Sequence, residues 1–409
     1  MTAPSPPLRV TGMAVGGDGV VREPGGRVVF VDGALPGELV TLEIESEHRR
    51  HARGRVVEVV APGPARVDQP CPWEAAGCGG CGWQHVVPAG QVALKLGMVA
   101  EALRRLGRVD DPVVVPGPGL PAAGYRTTLR GEADGAGRFC LHRHHAHDLV
   151  PVPGCLVAHP LVAEVVTEGR FPPGSTVTVR AGARTGGRQG VVEGATAVGP
   201  VAVPAGVRVV LGAALDAGRR AWLFEEVHGV RLRVSARSFF QSGPEAAEAL
   251  VTAVAAAVGP CGPGDRLADL YGGVGLFAAT VARHAEVELV ESSPAAAADA
   301  RVNLAGLAAR VVRGDVTRWR SRRMDAVVAD PPRSGLGLAG VRAVAATRAR
   351  RVALVSCDAG SLGRDTRLLG DAGYRLVDAT VVDAFPHTPH VEVVARFDRV
   401  VSGGGRGAA

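Results

Sequence analysis

Lysine is almost absent from this sequence. The 409 residues include 46 lysines and arginines together, and Lys95 is the only lysine. Arginine therefore carries nearly all of the positive charge, and we attribute this bias, like the low aromatic content of 4%, to a GC-rich coding sequence. The net charge of +6 is a modest basic excess, which is compatible with a partner rich in phosphate.

Long apolar runs are also missing. No run approaches the ~18–20 residues of a membrane span, so we expect no membrane association. The opening segment, MTAPSPPLRV, lacks the apolar core of a signal peptide, and we expect a cytoplasmic protein. Hydrophobic residues make up 46% of the chain, which excludes the disordered class. A chain of 409 residues is too long for one typical core and predicts two or three domains.

The first part of the chain is predicted to be a small all-β unit. Residues 9 to about 60 alternate β-branched and polar residues, with turns at DGALPGE and EHRRHARG. Short strands with regular turns are typical of a five-stranded OB-like barrel, a common platform for single-stranded nucleic acid. Residues 91–106 have the apolar spacing of a helix. Residues 125 to about 234 are again β-rich.

After residue 243 the pattern changes to alternating strands and helices. PEAAEALVTAVAAAV predicts a helix, and strands are predicted at DRLADLY, EVELVES, DAVVADPP and RVALVSC. Such alternation is typical of a doubly wound, mostly parallel sheet. The tail SGGGRGAA is predicted to be disordered.

A glycine-rich turn follows the first strand of this sheet. In ADLYGGVGLFA, Gly273, Gly275 and Ala278 match the G-x-G-x-x-A dinucleotide fingerprint, and Tyr271 belongs to the same turn. Glu291 ends the next strand, where a carboxylate can accept hydrogen bonds from ribose hydroxyls. An adenosine-containing cofactor is therefore expected, although this motif alone does not choose between NAD and S-adenosylmethionine.

Two features, Asp269 and an Asp-Pro-Pro loop, favour S-adenosylmethionine, and Asp315 is a softer candidate. Asp269 lies three residues before Gly272, where it could face the cofactor. Asp330 begins an Asp-Pro-Pro loop at the end of a later strand, and this tripeptide is not expected in an NAD enzyme. Asp315 follows a third strand and could reach the adenine, and a role as a cap of the following segment is nearly as plausible.

Cys357 ends a buried strand beside an aspartate. Carbon 5 of a pyrimidine becomes nucleophilic only after a thiolate adds at carbon 6, and a base must later remove the proton from carbon 5. Glu392 lies on the final strand among apolar residues that would raise its pKa and make it a stronger base. This pair therefore suits covalent pyrimidine methylation, while an inert buried cysteine and an edge-strand glutamate are the alternatives.

Three further cysteines form a C-x6-C-x2-C run, and a fourth follows later. The run is Cys71, Cys78 and Cys81, and Cys155 is the candidate fourth ligand. Four thiolates suit either an iron–sulfur cluster or zinc, and spacing alone does not decide between them.

Taken together, these motifs resemble the uracil-5 RNA methyltransferase family. SFFQSGPEAAEAL, ADLYGGVGLFA, VVADPPRSG, VSCDAGSLGRD and DAFPHTPHVEVV occur in the family's order, and the similarity runs from about Val10 to Phe397. The resemblance implies Cys357 as the nucleophile and Glu392 as the base. It also implies Gln241 near the donor or the target base, and Asp330 at the uracil edge. Gly272 and Gly243 stand where the family usually has cysteine and asparagine.

The resemblance also implies a multidomain α/β build with a 4Fe–4S cluster held by the four cysteines. It implies an N-terminal TRAM barrel, a central β-rich domain and a Rossmann-like methyltransferase domain. The expected division is 1–67 for the barrel, 68–87 and 118–233 for the central domain, 88–117 and 234–401 for the methyltransferase domain, and 402–409 for the tail.

The sequence thus predicts methyl transfer from S-adenosylmethionine to carbon 5 of a uridine in RNA, with ribosomal RNA favoured over transfer RNA by resemblance. We expect a monomer. Three alternatives remain at this point: an NAD-dependent oxidoreductase, a non-catalytic RNA-binding or assembly factor, and methylation of a base nitrogen, which would not need Cys357.

Overall fold

The N-terminal strands close into a barrel. The computed structural model describes residues 5–144, 146–194 and 199–400. The barrel strands are β1 (Leu8–Met13), β2 (Gly19–Arg22), β3 (Val28–Asp32), β4 (Leu39–Glu47) and β5 (His51–Ala61). They are ordered β1-β2-β3-β5-β4, with β3 and β5 parallel. Alternate residues such as Val29 and Val31 fill the interior, which confirms the expected five-stranded barrel.

Two helices and a short strand follow the barrel. They are α1 (Pro72–Ala75), α2 (Pro88–Arg105) and β6 (Val114–Pro116). A proline at the first position of α2 suits its start, because that position needs no amide donor. The buried residues of α2 recur at helical spacing and form one face: Gln91, Lys95, Met98, Val99, Ala102 and Leu103.

The central region is a six-stranded sheet with a separate hairpin. Its elements are β7 (Thr128–Ala133), β8 (Phe139–His142), β9 (Leu149–Pro151), α3 (Pro160–Glu168), β10 (Thr176–Ala181), β11 (Arg188–Glu193), β12 (Val207–Leu211), α4 (Gly212–Asp216), β13 (Trp222–Val227) and β14 (Val230–Ser235). The sheet order is β12-β11-β10-β7-β8-β9. The hairpin β13–β14 turns through His228 and Gly229, both with positive φ, as a type I′ turn requires.

The C-terminal region is an α/β sandwich. Its elements are α5 (Pro244–Val258), β15 (Arg266–Leu270), α6 (Leu276–Thr280), β16 (Glu286–Glu291), α7 (Pro294–Asn303), β17 (Ala309–Arg313), a 3-10 turn (Val316–Arg318), β18 (Ala326–Ala329), α8 (Gly337–Ala346), β19 (Arg351–Ser356), α9 (Ala359–Asp371), β20 (Tyr374–Val382) and β21 (Glu392–Arg399). The strand order is β17-β16-β15-β18-β19-β21-β20-β6.

Two apolar cores cover the two faces of this sheet. One core contains residues of α5, α6 and α7, and the other contains residues of α2, α8 and α9. Strands β15 to β19 are parallel, whereas β21 runs antiparallel between β19 and β20. The early strand β6 completes the sheet by pairing with β20. The doubly wound sheet that the sequence predicted is therefore present.

The described part of the chain contains no helix with the length and apolarity needed to cross a membrane. The tail 402–409, which the sequence predicted to be disordered, lies outside the described residues, as does Val401.

Candidate active site

The predicted site residues of the C-terminal region collect at one edge of its sheet. Parallel strands end at a common edge, and that edge is the usual ligand site of open α/β sheets. Because β21 is antiparallel, its first residue lies at the same edge. The residues at or just beyond this edge are Asp269, Tyr271, Gly273, Gly275, Glu291, Asp315, Asp330, Cys357 and Glu392.

The turn after β15 needs its glycines. Gly273 and Gly275 have φ of 53° and 92°, a region that favours glycine. A Cβ at Gly272 would lie 2.5 Å from Cγ of Leu289, so this glycine allows the turn to pack on β16. Tyr271 also has a positive φ, of 59°.

Asp269 is completely buried beneath this turn. Its Oδ2 accepts a hydrogen bond of 3.1 Å from the amide of Ala278 in α6, and its Oδ1 has no partner among the described residues. Burial raises the pKa of Asp269 to about 7, and the charges of Asp330 and Glu291 add to the effect. An unpaired buried oxygen at this position is a feature that a bound polar ligand or water would satisfy.

Glu291 and Asp315 differ in their contacts. Glu291 binds backbone amides through both oxygens, with 3.0 Å to the amide of Gly273 and 2.5 Å to that of Ser293. Asp315 is exposed and caps the 3-10 turn, where Oδ1 accepts from the amide and the hydroxyl of Thr317 at 2.8 Å. The capping alternative is thus realised for Asp315, and its predicted contact with adenine stays a prediction.

Cys357 and Glu392 face each other across two adjacent strands. Ser356 pairs with Val393 in the β19–β21 ladder, so the next residue of β19's chain, Cys357, lies beside Glu392. Glu392 is only 5% exposed, while the thiol is half-buried. A thiol that a nucleobase could reach and a largely desolvated carboxylate therefore lie side by side.

The electrostatics of this pair follow from burial and from a third carboxylate, Asp330. Burial raises the pKa of the Cys357 thiol to about 11, and the charges of Glu392 and Asp330 add to this while Arg333 opposes it. Burial and the charge of Asp330 raise the pKa of Glu392 well above its usual range. Burial raises the pKa of Asp330 to about 7. Because each negative charge disfavours the other, the Asp330 and Glu392 carboxyls do not both ionise readily at neutral pH.

The Asp-Pro-Pro loop is anchored by the helix that follows Cys357. Asp365 of α9 accepts hydrogen bonds from the amides of Leu336 and Gly337, at 2.6 and 3.0 Å. A Cβ at Gly335 would lie 2.3 Å from Oδ2 of Asp365, so this glycine permits the contact. Asp365 thereby fixes the loop that carries Asp330 relative to the helix that carries Cys357.

Gln241 is buried just before α5. Phe239, two residues earlier, was not among the site residues predicted from the sequence. The hydroxyl of Ser242 donates to the carbonyl of Ala384 at 2.8 Å, which brings this segment beside the chain that leads to Glu392. Phe239 is 69% exposed. An exposed phenylalanine in a chain with only 4% aromatic residues is the signal that could have singled it out.

The segment at Phe239 is held by two charged side chains, the buried Asp299 and the partly buried Arg180. The Ser238 hydroxyl donates to Asp299 at 2.8 Å, and its carbonyl accepts from Arg180 at 2.7 Å. Asp299 lies on α7 and Arg180 on β10, so both flanking regions fix the backbone next to the exposed ring. A rigid exposed aromatic is suited to stacking on an unpaired base.

The four cysteines of the predicted cluster line one small cavity of about 20 Å³. Burial raises the pKa of the Cys78, Cys81 and Cys155 thiols, that of Cys81 to about 12. Among the described residues, no three histidine, cysteine or acidic side chains are arranged as ligands of a metal ion. The cavity does bring together Cys155 and the earlier run, which are far apart in sequence.

Comparison with known proteins identifies the family. The profile of the TRAM domain matches residues 7–57. An uncharacterised RNA methyltransferase of Streptomyces coelicolor is 36% identical over 97% of this chain and 93% of its own. The 23S rRNA (uracil(1939)-C(5))-methyltransferase RlmD of Alkalilimnicola ehrlichii is 33% identical over 96% of each chain. This chain belongs to the uracil-5 RNA methyltransferase family.

The fold agrees with that of a solved methyltransferase. The tRNA (uracil-54, C5)-methyltransferase of Pyrococcus abyssi, solved with S-adenosyl-L-homocysteine, superimposes with a TM-score of 0.74. The match covers 96% of this chain and 100% of that one, at 22% identity. The barrel and the methyltransferase fold predicted from the sequence are thereby confirmed.

The two departures from the family's usual residues have steric reasons here. The Leu289 side chain occupies the space that a side chain at Gly272 would need. At Gly243, a Cβ would lie 2.4 Å from the carbonyl oxygen of Tyr125. At both glycines, the space that a side chain would need is therefore occupied by an atom of a neighbouring segment.

Proposed function

We propose that this enzyme transfers a methyl group from S-adenosylmethionine to carbon 5 of a uridine in RNA, through a covalent adduct between Cys357 and carbon 6. The observation that carries the mechanism is the pairing of a half-buried thiol with a buried carboxylate across β19 and β21. An NAD-dependent oxidoreductase gives this pair no role, and methylation of a base nitrogen does not need a thiol.

The thiol provides the nucleophile. The Cys357 thiol passes its proton to solvent and its sulfur attacks carbon 6 of the uracil. The electron pair of the C5–C6 double bond moves to carbon 5, which becomes electron-rich. Because burial and two carboxylates raise the thiol's pKa to about 11, little thiolate exists in the free enzyme at neutral pH. Asp330 lies close enough to influence the charge of both groups and would hold the polar edge of the base.

Glu392 acts as the general base in the second half of the reaction. Once carbon 5 carries the methyl group, Glu392 takes the remaining proton from carbon 5. The electron pair of that C–H bond restores the double bond, and the thiolate leaves carbon 6. A carboxylate whose pKa is raised by burial is a better base for this step than an exposed one.

The glycine turn suits the cofactor. S-adenosylmethionine, when bound, supplies the electrophilic methyl group. Gly273 leaves open space beside the backbone, since no atom lies within 4 Å of a Cβ at that position, and Gly275 supplies the positive φ of the turn. The unpaired Oδ1 of Asp269 lies below it, and Glu291 ends the adjacent strand as the candidate partner of ribose hydroxyls. Tyr271 and Gln241 would complete this pocket, and Asp315 stands at its rim.

The substrate is a uridine flipped out of its RNA, and we favour ribosomal RNA, the substrate named for the relative RlmD. Extrusion costs a few kcal/mol of unstacking, and stacking on Phe239 would offset part of it. The division into a barrel, a central domain and a methyltransferase domain, at the boundaries expected from the sequence, is part of this proposal.

The cysteine cavity is the proposed site of a 4Fe–4S cluster. Cys71, Cys78, Cys81 and Cys155 line the same small cavity, and the irons of such a cluster are held by four cysteine thiolates. Backbone amides of Val157 and Ala158 donate towards Cys155, as is common for cluster thiolates.

Release of tritium from RNA labelled at carbon 5 of uridine tests the methyl transfer. We expect the wild-type enzyme, supplied with S-adenosylmethionine and ribosomal RNA, to release tritium, and Cys357→Ala to release none. Cys261→Ala is the matched control, because Cys261 lies before β15 at the opposite edge of the sheet. Equal release by Cys357→Ala would remove the covalent mechanism.

Iron and sulfide analysis of anaerobically purified protein tests the cluster. We expect about four irons per chain, loss of iron in Cys155→Ser, and retention in Cys140→Ser. Cys140 is buried in the same region but does not line the cavity. Zinc in place of iron would contradict the cluster assignment and leave the methyl-transfer mechanism untouched.

A further inference from the structure

The only lysine of the chain is completely buried. Lys95 lies on α2 and has 0% exposure, in a protein whose other positive side chains are arginines. An ammonium is a compact point charge with three donors, whereas a guanidinium is larger and planar. A buried lysine in an arginine-biased sequence marks a position where the smaller cation is required.

The ammonium of Lys95 binds one particular loop. Its Nζ lies 2.5 Å from Oδ1 of Asp383 and 2.9 Å from the carbonyl oxygen of Phe385. Both residues belong to the segment 383–391 that connects β20 to β21, which we call the β20–β21 loop. Burial lowers the pKa of Lys95 and the charge of Asp383 opposes this effect.

Gln91, one turn earlier on α2, binds the middle of the same loop. Its Oε1 accepts from the amide of His387 at 2.6 Å, and its Nε2 lies 3.2 Å from Nδ1 of that histidine. The carbonyl of His387 accepts from the amide of Trp83 at 2.8 Å. His387 has φ of 65°, a strained backbone conformation that persists where surrounding contacts fix it.

The loop ends at the proposed base. Val382, immediately before the loop, pairs with Glu392 across β20 and β21. Within the loop, the hydroxyl of Thr388 donates to the carbonyl of Phe385 at 2.8 Å and accepts from the amide of His390 at 3.3 Å. The carbonyl that Lys95 binds is thus linked by two hydrogen bonds to the residue two positions before Glu392.

We propose that Lys95 is a positioning residue for proton removal: its ammonium fixes the β20–β21 loop, and the loop sets the place of the Glu392 carboxylate. The proposal rests on the methyl-transfer function and on the role of Glu392 in it. Lys95 touches neither the base nor the cofactor turn in this arrangement. Its removal should therefore affect the step that Glu392 performs and spare the step that Cys357 performs.

The two steps can be measured separately. In the first, the thiolate adds to carbon 6 and the electron pair of the C5–C6 double bond moves to carbon 5, which takes the methyl group of S-adenosylmethionine and leaves S-adenosylhomocysteine. This step gives a methylated RNA–protein adduct that survives denaturation. The second breaks the C5–hydrogen bond, passes its proton to Glu392 and breaks the C6–sulfur bond, which releases tritium and free RNA. We expect Lys95→Met to form the adduct at close to the wild-type rate and to release tritium about 100-fold more slowly, as a displacement of ~1 Å would produce. Adduct should then accumulate.

Arg104→Met is the matched control. Arg104 is an exposed cation on the same helix that pairs with Glu101, so its loss removes a charge from α2 without touching the loop. We expect this variant to match the wild type in both steps. The double variant Lys95→Met/Asp383→Asn guards against a folding defect, because it leaves no unpaired charge in the interior. It lacks the ammonium and should also accumulate adduct.

The outcomes separate this inference from the function on which it rests. If the wild type forms no adduct and releases no tritium, the proposed function fails. If the wild type does both, and the double variant releases tritium at the wild-type rate, Lys95 does not position the base. A parallel decrease of adduct formation and tritium release in the folded variants would likewise overturn the proposal.

Discussion

The Cys357 thiol is surrounded by groups that oppose its ionisation. Burial is the main cause of its raised pKa, and Glu392 and Asp330 contribute as neighbouring negative charges. Since only the thiolate attacks carbon 6, adduct formation should become faster with rising pH up to the thiol's pKa of about 11. The positive charge of the exposed Arg333 counteracts the two carboxylates.

Removal of the Asp330 charge should make the thiol easier to ionise. The pKa of Asp330 is about 7, so this carboxyl is ionised in the range where the thiol titrates. In Asp330→Asn we therefore expect the pH profile of Cys357 alkylation to move to lower pH by roughly one unit. Iodoacetamide labelling of the free enzyme at a series of pH values, quantified by peptide mass spectrometry, measures this shift.

Cys261 provides the internal control for this experiment. Burial and Asp265 raise the pKa of Cys261, and Asp330 is not among the charges that affect it. Its alkylation profile should stay in place in the same sample. An unchanged Cys357 profile would mean that Asp330 does not act on the thiol through its charge.

Close contact between the helices α2 and α9 joins an early segment to the C-terminal α/β region. A Cβ at Gly363 in α9 would lie 2.6 Å from the carbonyl oxygen of Ala102 and 2.8 Å from Cβ of Leu106. Gly363 therefore lets the two helices approach at backbone distance. This contact also fixes the helix that presents Gln91 and Lys95.

Gly363→Ala should destabilise the protein by about 1–3 kcal/mol, because backbone atoms block the added methyl group. Gly370→Ala, on the same helix with open space around it, should stabilise by about 0.5–1 kcal/mol. Urea unfolding midpoints of the two variants measure the difference. Equal effects of both substitutions would argue against tight packing at Gly363.

The sequence was most informative where a pattern is local. The alanine-rich periodicity of α5 predicts Pro244–Val258 as the structure has it, and the short apolar runs of β18 and β19 identify buried strands. Periodicity does not reveal that β21 inserts antiparallel between β19 and β20. That order depends on pairing between distant strands, and it is what brings Glu392 beside Cys357.

The β20–β21 loop is contacted by residues from several distant parts of the chain. It contacts Trp83 beside the cysteine run, Gln91 and Lys95 on α2, and Tyr125, whose hydroxyl donates to the carbonyl of Pro386 at 3.2 Å. The barrel also reaches it, because a Cβ at Gly17 would lie 2.3 Å from Cβ of Pro389. Barrel, cysteine segment and central region thus all touch the loop before the proposed base.

A substitution in the barrel should therefore affect catalysis. We expect Gly17→Ala to displace Pro389 and to slow tritium release several-fold, with RNA affinity close to that of the wild type. Gly26→Ala is the matched control, because Gly26 also lies in a barrel turn with positive φ but has no atom within 4 Å of its Cβ position. Filter binding and tritium release compare the two, and equal rates would exclude the coupling.

These long-range contacts explain what the sequence could not predict. Lys95 stands out in the composition, yet nothing in a helical pattern indicates its partner Asp383, which is 288 residues away. Phe239 has no repeating pattern, and only its exposure in the folded chain draws attention to it. Residues that act through tertiary contacts become visible only when the sheet is assembled.

The separation between Lys95 and Asp383 also has a consequence during protein synthesis. At about 5–20 residues per second, a ribosome needs roughly 15–60 s to make the 288 residues that separate the two partners. For most of that interval α9 and β20, which pack on the apolar face of α2, have not yet been made. The growing chain therefore presents this apolar face to chaperones until its last elements emerge, and a chain that ends before α9 leaves the face without its partner helix.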